Sequence, residues 1–186
     1  MDIDGVIQPF TQYRFEYMND ETAMEELYKK LETEFCADYR EFHKADVTAV
    51  YYDWDKDALS ELKRILDVTG AKIVLSSDWR TGLICDYMPF LMRIHDLQKY
   101  LHGYTPIYYS GNTPRVGIYE NINKDRAIEI LEYLRVHPHI KKWVAVDDIN
   151  MANDIPDNFV KTWPKLTTAD ADKCIEILGK FEDEPK

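Results

Sequence analysis

Three short segments of the chain run from apolar residues directly into polar residues that can take part in chemistry. They are residues 2–6, residues 72–77 and residues 142–148. Their β-branched and other apolar residues are typical of buried strands, and helical patterns separate the segments. Strands that alternate with helices predict a parallel sheet, whose carboxyl ends open on a common crevice. The sequence therefore predicts an α/β fold with its polar strand ends gathered at one edge.

The first segment reads Asp-Ile-Asp-Gly-Val. Because side chains alternate along a strand, Asp2 and Asp4 are expected on the same side, and Gly5 permits a sharp turn after them. Two carboxylates at such a position can supply a nucleophile and a proton-transfer group, with Mg2+ screening their charge. An acidic pair near a terminus is also typical of a solvated turn, so the motif has to be interpreted together with the others.

Hydroxyl groups follow the second segment. Ser76 comes directly after the predicted strand at residues 72–75 and can hydrogen-bond a phosphate oxygen in the crevice. The alternative is that Ser76 or Ser77 caps the next helix. Trp79 and Arg80 come next along the chain and are candidates for the mouth of a substrate pocket.

Two adjacent acids, Asp147 and Asp148, follow the third segment. Acids at the end of an apolar strand are costly unless they are paired or bind a metal, and their oxygens, with Asp154 nearby, suit Mg2+. Lys124 lies where a helix is predicted to begin, at about residue 123. A cation in a first helical turn is unfavourable, which favours a specific anionic partner, although an exposed lysine is the commoner outcome.

The remaining elements are predicted from periodicity and capping residues. An aromatic-rich helical insert at about residues 8–46 contains two candidate helix caps, Asn19 and Asp20, and a capping box from Thr22 to Glu25. It is either a lid whose rings stack on a base or a helix packed onto the body. Asp55 caps a helix that Gly70 ends. Further strands are predicted at residues 47–52, 107–109 and 159–163. Further helices are predicted at residues 87–101, from 123 to near 137–138, and at 169–181, the last capped by Thr168.

Composition limits the function classes. The chain of 186 residues has 34 acidic and 23 basic residues, a net charge of −11, which argues against an extended nucleic-acid or membrane-binding surface. This net charge is still compatible with the binding of one nucleotide, or of one strand end, in a pocket. The cysteines lie far apart without metal-type spacing, which indicates a reducing compartment. Without a signal-like or membrane-length apolar run, we expect a cytoplasmic protein.

Taken in chain order, Asp-x-Asp-Gly, the serine, the lysine and the Asp-Asp pair resemble the motifs of the haloacid dehalogenase-like (HAD) superfamily. Residues 73–80 and 143–148 are similar to a HAD subgroup linked to Swiss Army knife RNA repair proteins, and to the phosphatase domains of polynucleotide kinase-phosphatases. The resemblance implies one domain over residues 1–186. It also implies a three-layer α/β/α sandwich, with a mostly parallel Rossmann-like sheet and the small insert after its first strand.

The resemblance also implies a role for each motif residue. Asp2 matches the nucleophile of a Mg2+-dependent phosphatase that forms an aspartyl-phosphate, and Asp4 matches the general acid/base. Ser76, with Ser77 as the alternative, would bind phosphate. Lys124, with Arg126 as a substitute, would steady the phosphoryl oxygens. Mg2+ would be held by Asp2, Asp148 with Asp147 beside it, and Asp4 through its backbone carbonyl. The partner is then a small phosphorylated substrate or a nucleic-acid end.

Only Met1 precedes Asp2, whereas a typical strand would need roughly four or more residues there. Either the true start lies upstream, or the chain is truncated, or the first strand is minimal. A central strand lost from the sheet would leave its neighbours without hydrogen-bond partners and weaken the site. The alternative function follows from this expectation: a HAD-fold binding module with impaired catalysis.

Overall fold

The computed structural model describes residues 1–10, 15–107 and 118–179, and the side chains of these residues except 15–16 and 118–124. Within these ranges the chain forms helices α1 Phe15–Met18, α2 Glu21–Phe35, α3 Lys44–Thr48, α4 Lys56–Thr69, α5 Ile84–Arg93, α6 Ile118–Val136 and α7 Thr168–Leu178, and strands β1 Ile73–Leu75, β2 Leu101–Tyr104, β3 Ala145–Asp147 and β4 Phe159–Lys161. Short helical turns cover Tyr39–Glu41, Ala49–Asp53, Asp78–Arg80, Gln98–Tyr100 and Pro156–Asn158. The chain is thus an α/β protein.

The strands form two small parallel sheets. Strand β1 pairs with β2, where Leu75 lies opposite Tyr104, and β3 pairs with β4, where Val146 lies opposite Val160. Along the sequence, α5 and two short helical turns lie between β1 and β2. Strands β3 and β4 are instead connected by a loop with one short helical turn. The predicted strands at residues 72–75 and 142–146 therefore exist, with shifted bounds.

The first two residues lie between the two sheets. The amino group of Met1 donates to the Val74 carbonyl at 2.8 Å, and the Ser76 N–H donates to the Met1 carbonyl at 2.9 Å. On the other side, the Asp2 N–H donates to the Val146 carbonyl at 2.9 Å. The amino-terminal segment thus bridges β1 and β3 despite its shortness. It brings Asp2 to the carboxyl ends of both strands.

Capping residues account for two of the helix boundaries. The Asp55 side chain accepts the N–H groups of the first turn of α4, and Gly70 ends this helix with φ +66°, as predicted. Helix α2 is capped by Asp20 rather than through a box from Thr22 to Glu25, because Thr22 already lies inside the helix.

Residues 47–52 are helical, so the predicted strand is wrong. They belong to α3 and to the π-helical turn Ala49–Asp53. Val47 and Val50, three positions apart, are both fully buried. Three-residue spacing places them on one helix face, where packing against the core outweighs the strand preference of β-branched residues.

Several other boundaries differ from the predictions. The helix expected over residues 87–101 is α5 followed by a separate helical turn, with Asp96 between them at φ +57°. Helix α6 begins at Ile118, so Lys124 does not lie in a first turn. Helix α7 begins at Thr168 and is capped by Thr167. Strand β2 precedes the expected residues 107–109, and residues 108–117 and 180–186 lie outside the described ranges.

The insert packs onto the body through its aromatic rings. Tyr39 is fully buried and its hydroxyl donates to the Phe90 carbonyl at 3.0 Å, while Phe42 stacks on Tyr87 with 4.9 Å between ring centroids. These two rings of the insert therefore join α5 rather than cover an open site. No helix in the described part of the chain combines the length and apolarity needed to cross a membrane.

Candidate metal and phosphate site

Three carboxylates meet at the carboxyl ends of the strands. Oxygens of Asp2, Asp147 and Asp148 lie within 4.8 Å of one another, an arrangement that can hold a metal ion. Strand β3 ends at Asp147, and the segment between β1 and β3 carries Asp2 to the same place. Asp4 is not part of this cluster, and Asp154 is exposed and also lies outside it.

The two adjacent acids differ in how they are held. Asp147 is fully buried, and its two oxygens accept hydrogen bonds from the Ile149 N–H at 2.9 Å and from Arg126 at 3.2 Å. Asp148 is half-buried and contacts Asp2. Burial, reinforced by the charge of Asp2, raises the pKa of both acids. Asp148 is thus the less engaged of the two and the more accessible ligand.

A buried guanidinium faces the cluster. Arg126, from α6, places Nη1 3.5 Å from an Asp2 oxygen and 3.2 Å from an Asp147 oxygen. When all groups are ionised, three carboxylates and one guanidinium leave two formal negative charges, which one divalent cation would balance. Sequence reasoning favoured Lys124 as the cation and kept Arg126 as a substitute. Among the described side chains Arg126 contacts Asp2, and the Lys124 side chain lies outside the described set.

Asp4 is held apart by an indole. Its carboxylate accepts a hydrogen bond from Trp79 Nε1 at 3.0 Å. Burial and the nearby charge of Asp2 raise the pKa of Asp4 to about 6, although the Trp79 hydrogen bond acts in the opposite direction. Asp4 can therefore exchange a proton near neutral pH, and Trp79 contacts this acid.

Glycine is required at position 5 because of both the backbone conformation and the lack of space for a side chain. Its φ is +68°, and a Cβ at this position would lie 2.6 Å from the Asp148 Cβ. The absence of a side chain lets the turn after Asp4 approach the acidic pair. Thr162, after β4, fixes this turn by donating its hydroxyl to the Gly5 carbonyl at 2.8 Å.

The two serines have different environments. Ser77 Oγ accepts the Trp79 N–H at 3.4 Å and so caps the turn Asp78–Arg80. Ser76 Oγ is buried and has no hydrogen-bond partner among the described residues. A buried hydroxyl without a partner is unfavourable, so Ser76 rather than Ser77 is available to a bound ligand.

Arg80 is only 5% exposed, so it does not lie at the mouth of a pocket as the sequence suggested. It donates to the Ser77 carbonyl at 2.6 Å and to the Thr105 carbonyl at 3.2 Å, bonds the Ser76 carbonyl, and pairs with Glu129. These contacts brace the loop that carries the serines. Sequence reasoning missed Glu129; its spacing of three residues from Arg126 on α6 was the available signal.

The raised pKa of Asp4 predicts a pH-dependent stability. The pKa of Asp4 in the folded protein, about 6, exceeds its ordinary value. The contribution of Asp4 to the free energy of unfolding is therefore complete below about pH 4 and is lost as the pH rises through 6. Without added metal, the free energy of unfolding of the parent, relative to that of Asp4→Asn, should fall by about 2–3 kcal/mol between pH 4 and 7. This corresponds to roughly 5–10 °C in melting temperature. Thermal unfolding of both proteins in a chelator measures this difference. A difference that stays constant with pH would contradict the assignment.

Comparison with known families gives a match over most of the chain. The model of the HAD domain in Swiss Army Knife RNA repair proteins matches residues 1–171, which include the carboxylate cluster, both serines and Arg126. No curated protein and no solved structure matches the chain significantly. The resemblance to the HAD subgroup linked to Swiss Army Knife RNA repair proteins is thereby confirmed. The chain belongs to the family of HAD domains found in Swiss Army Knife RNA repair proteins.

Proposed function

We propose that this HAD domain is a Mg2+-dependent phosphomonoester hydrolase that acts through an aspartyl-phosphate. The observation that carries the proposal is the grouping of Asp2 with Asp147 and Asp148, opposite the buried Arg126. Membership of the HAD family, whose members are generally hydrolases, supports it. We also propose that β2, β1, the amino-terminal segment, β3 and β4 lie in this order in one Rossmann-like sheet, the centre of a three-layer sandwich.

The donor set fits a hard divalent cation. Asp2 and Asp148 would hold Mg2+ most directly, with Asp147 beside them and the Asp4 carbonyl as a further oxygen ligand. When bound, the ion supplies positive charge that offsets the negative charges of the substrate and the carboxylates. Arg126 would help to orient Asp2, because its guanidinium lies 3.5 Å from an oxygen of this carboxylate.

Asp2 would act as the nucleophile. Its carboxylate attacks the phosphorus atom as the bond to the ester oxygen breaks, and protonated Asp4 gives its proton to the departing alkoxide. Asp4 then takes a proton from water, which attacks the phosphorus and releases inorganic phosphate and free Asp2. A pKa of about 6 suits Asp4 to both steps, and Trp79 holds its carboxyl group in place.

Ser76 would donate its free hydroxyl to a phosphoryl oxygen. Lys124, whose side chain lies outside the described set, would be a second cation for the phosphoryl group. The substrate would be a phosphorylated nucleotide or nucleic-acid end, which the RNA repair context of the family supports. The net charge of −11 favours a single phosphate in the crevice over an extended strand on the surface.

A phosphatase assay tests the proposal most directly. With a generic aryl phosphate and with a 3′- or 5′-phosphorylated oligonucleotide, we expect turnover that requires Mg2+ and stops in a chelator. Re-addition of Mg2+ should restore it, which controls for unfolding. Absence of turnover on every phosphomonoester tested, with the fold intact by circular dichroism, would overturn the proposal in favour of a binding module.

A further inference from the structure

Two exposed aromatic rings, those of Phe10 and Trp163, stack on each other at the surface. Their centroids are 5.4 Å apart and their planes are inclined by 29°. Phe10 is 36% exposed and Trp163 63%, and Trp163 is the one exposed residue among the four tryptophans of the chain. A single exposed apolar side chain is ordinary, but two stacked rings in the open offer a broad, flat contact surface. We call these two rings the aromatic pair.

The aromatic pair lies next to the carboxylate cluster. A Cβ at position 5 would lie 2.9 Å from the Asp148 Cγ and 3.0 Å from the Phe10 Cε2. The carboxyl group of Asp148 and the ring of Phe10 therefore flank the same glycine, and these two atoms are no further apart than the sum of the two distances. A phosphate held at Asp148 through Mg2+ consequently has the aromatic pair as a neighbour.

Hydrogen bonds fix the position of Trp163 relative to the site. The preceding residue, Thr162, donates its hydroxyl to the Gly5 carbonyl at 2.8 Å. On the other side of the tryptophan, the Leu166 N–H donates to the Val6 carbonyl at 2.8 Å. The segment that carries Trp163 is thus attached to the turn after Asp4 on both sides of the ring. A contact surface that is already held in place loses little conformational entropy when it binds a ligand.

We propose that the aromatic pair binds the base of the nucleotide that carries the phosphate, an inference that rests on the phosphatase function proposed above. In a nucleotide one sugar separates the base from the phosphate. The carboxylate cluster and Mg2+ take the phosphate, and the exposed ring of Trp163 takes the base by stacking. Because every base has a π-face, this site accepts any base but disfavours substrates without one, such as sugar phosphates and phosphoproteins.

Stacking of a single base also agrees with the acidic charge of the chain. A net charge of −11 disfavours a long polyanion that would lie along the surface. Stacking on an aromatic ring needs no basic patch, so the base adds affinity that phosphate contacts with the surface could not supply. The proposed ligand is therefore a single nucleotide or the terminal nucleotide of a strand.

Two phosphorylated oligonucleotides that differ in one base test the proposal. One has an ordinary base on its phosphorylated nucleotide, and the other has an abasic residue there. In the parent, kcat/KM should be about tenfold or more higher for the substrate with the base. Trp163→Ala should bring this ratio close to one, and Trp163→Phe should keep most of it because a ring remains. General damage to the fold would lower both rates and leave the ratio unchanged.

A control variant removes exposed apolar surface elsewhere. Val136 is 53% exposed and ends α6, ten residues and thus about 15 Å of helix beyond Arg126. Val136→Ala should keep the ratio of the parent. A ratio near one in the parent, or a ratio that Trp163→Ala leaves unchanged, would overturn the proposal.

Binding without turnover separates this proposal from the phosphatase function. In Asp2→Asn with Mg2+, the dissociation constant of a labelled oligonucleotide, measured by fluorescence anisotropy, should be about tenfold higher for the abasic form. The additional change Trp163→Ala should remove this difference. If no phosphomonoester is hydrolysed but Trp163 still tightens binding of the form with the base, the phosphatase function is wrong and the base site stands. Equal affinity for the two forms in Asp2→Asn would overturn the base site whatever the activity.

Discussion

Replacement of Asp2 by asparagine is expected to lower phosphatase turnover by about 1,000-fold or more. Asparagine has nearly the same shape, and its amide oxygen can still accept the Ile3 N–H, which lies 2.8 Å from the Asp2 carboxylate. It cannot form the aspartyl-phosphate, because it lacks the attacking charge. Mg2+ binding should weaken less than turnover, since Asp148 is unchanged. Steady-state turnover of an aryl phosphate at saturating Mg2+ measures the effect.

A matched control is available in the same chain. Asp157 is exposed and lies outside the carboxylate cluster, so Asp157→Asn should make the same chemical change without loss of activity. Both variants should unfold at temperatures close to that of the parent. Turnover of Asp2→Asn within tenfold of the parent would overturn the aspartyl-phosphate mechanism.

Asp148→Ala should abolish Mg2+-dependent turnover and weaken Mg2+ binding by roughly 100-fold. Asp148 is half-buried and less engaged than Asp147, whose two oxygens already accept hydrogen bonds from Ile149 and Arg126. Asp147→Ala should therefore weaken Mg2+ binding less. It should lower stability more, because it leaves the buried Arg126 with fewer carboxylate partners.

Isothermal titration with Mg2+ separates these effects from those on catalysis, and thermal unfolding in a chelator ranks the two variants in stability. Asp148→Asn serves as the conservative comparison, since it keeps one oxygen ligand and removes the charge. Unchanged Mg2+ affinity in Asp148→Ala would contradict its assignment as a ligand. A larger loss of Mg2+ affinity in Asp147→Ala than in Asp148→Ala would show that Asp147 is the more direct ligand.

Much of the candidate site could be predicted from local sequence. Asp2, Asp147 and Asp148 directly follow or interrupt short apolar segments, and parallel strands bring such ends together whatever the details of packing. The helix from Asp55 to Gly70 was predictable for a similar reason, because its cap residues act on their own first and last turns. The sequence alone thus determined the α/β class, the acidic cluster and the family.

Contacts between distant segments decided the rest. Arg126 faces Asp2 across 124 positions of the chain, and no local pattern ranks it above Lys124 as the cation. Ser76 and Ser77 are adjacent and chemically identical, yet the fold engages one as a cap and leaves the other without a partner. Val47 and Val50 favour a strand locally but are buried on a helix face. In each case the outcome depends on packing and electrostatic contacts that exist only once the tertiary structure has formed.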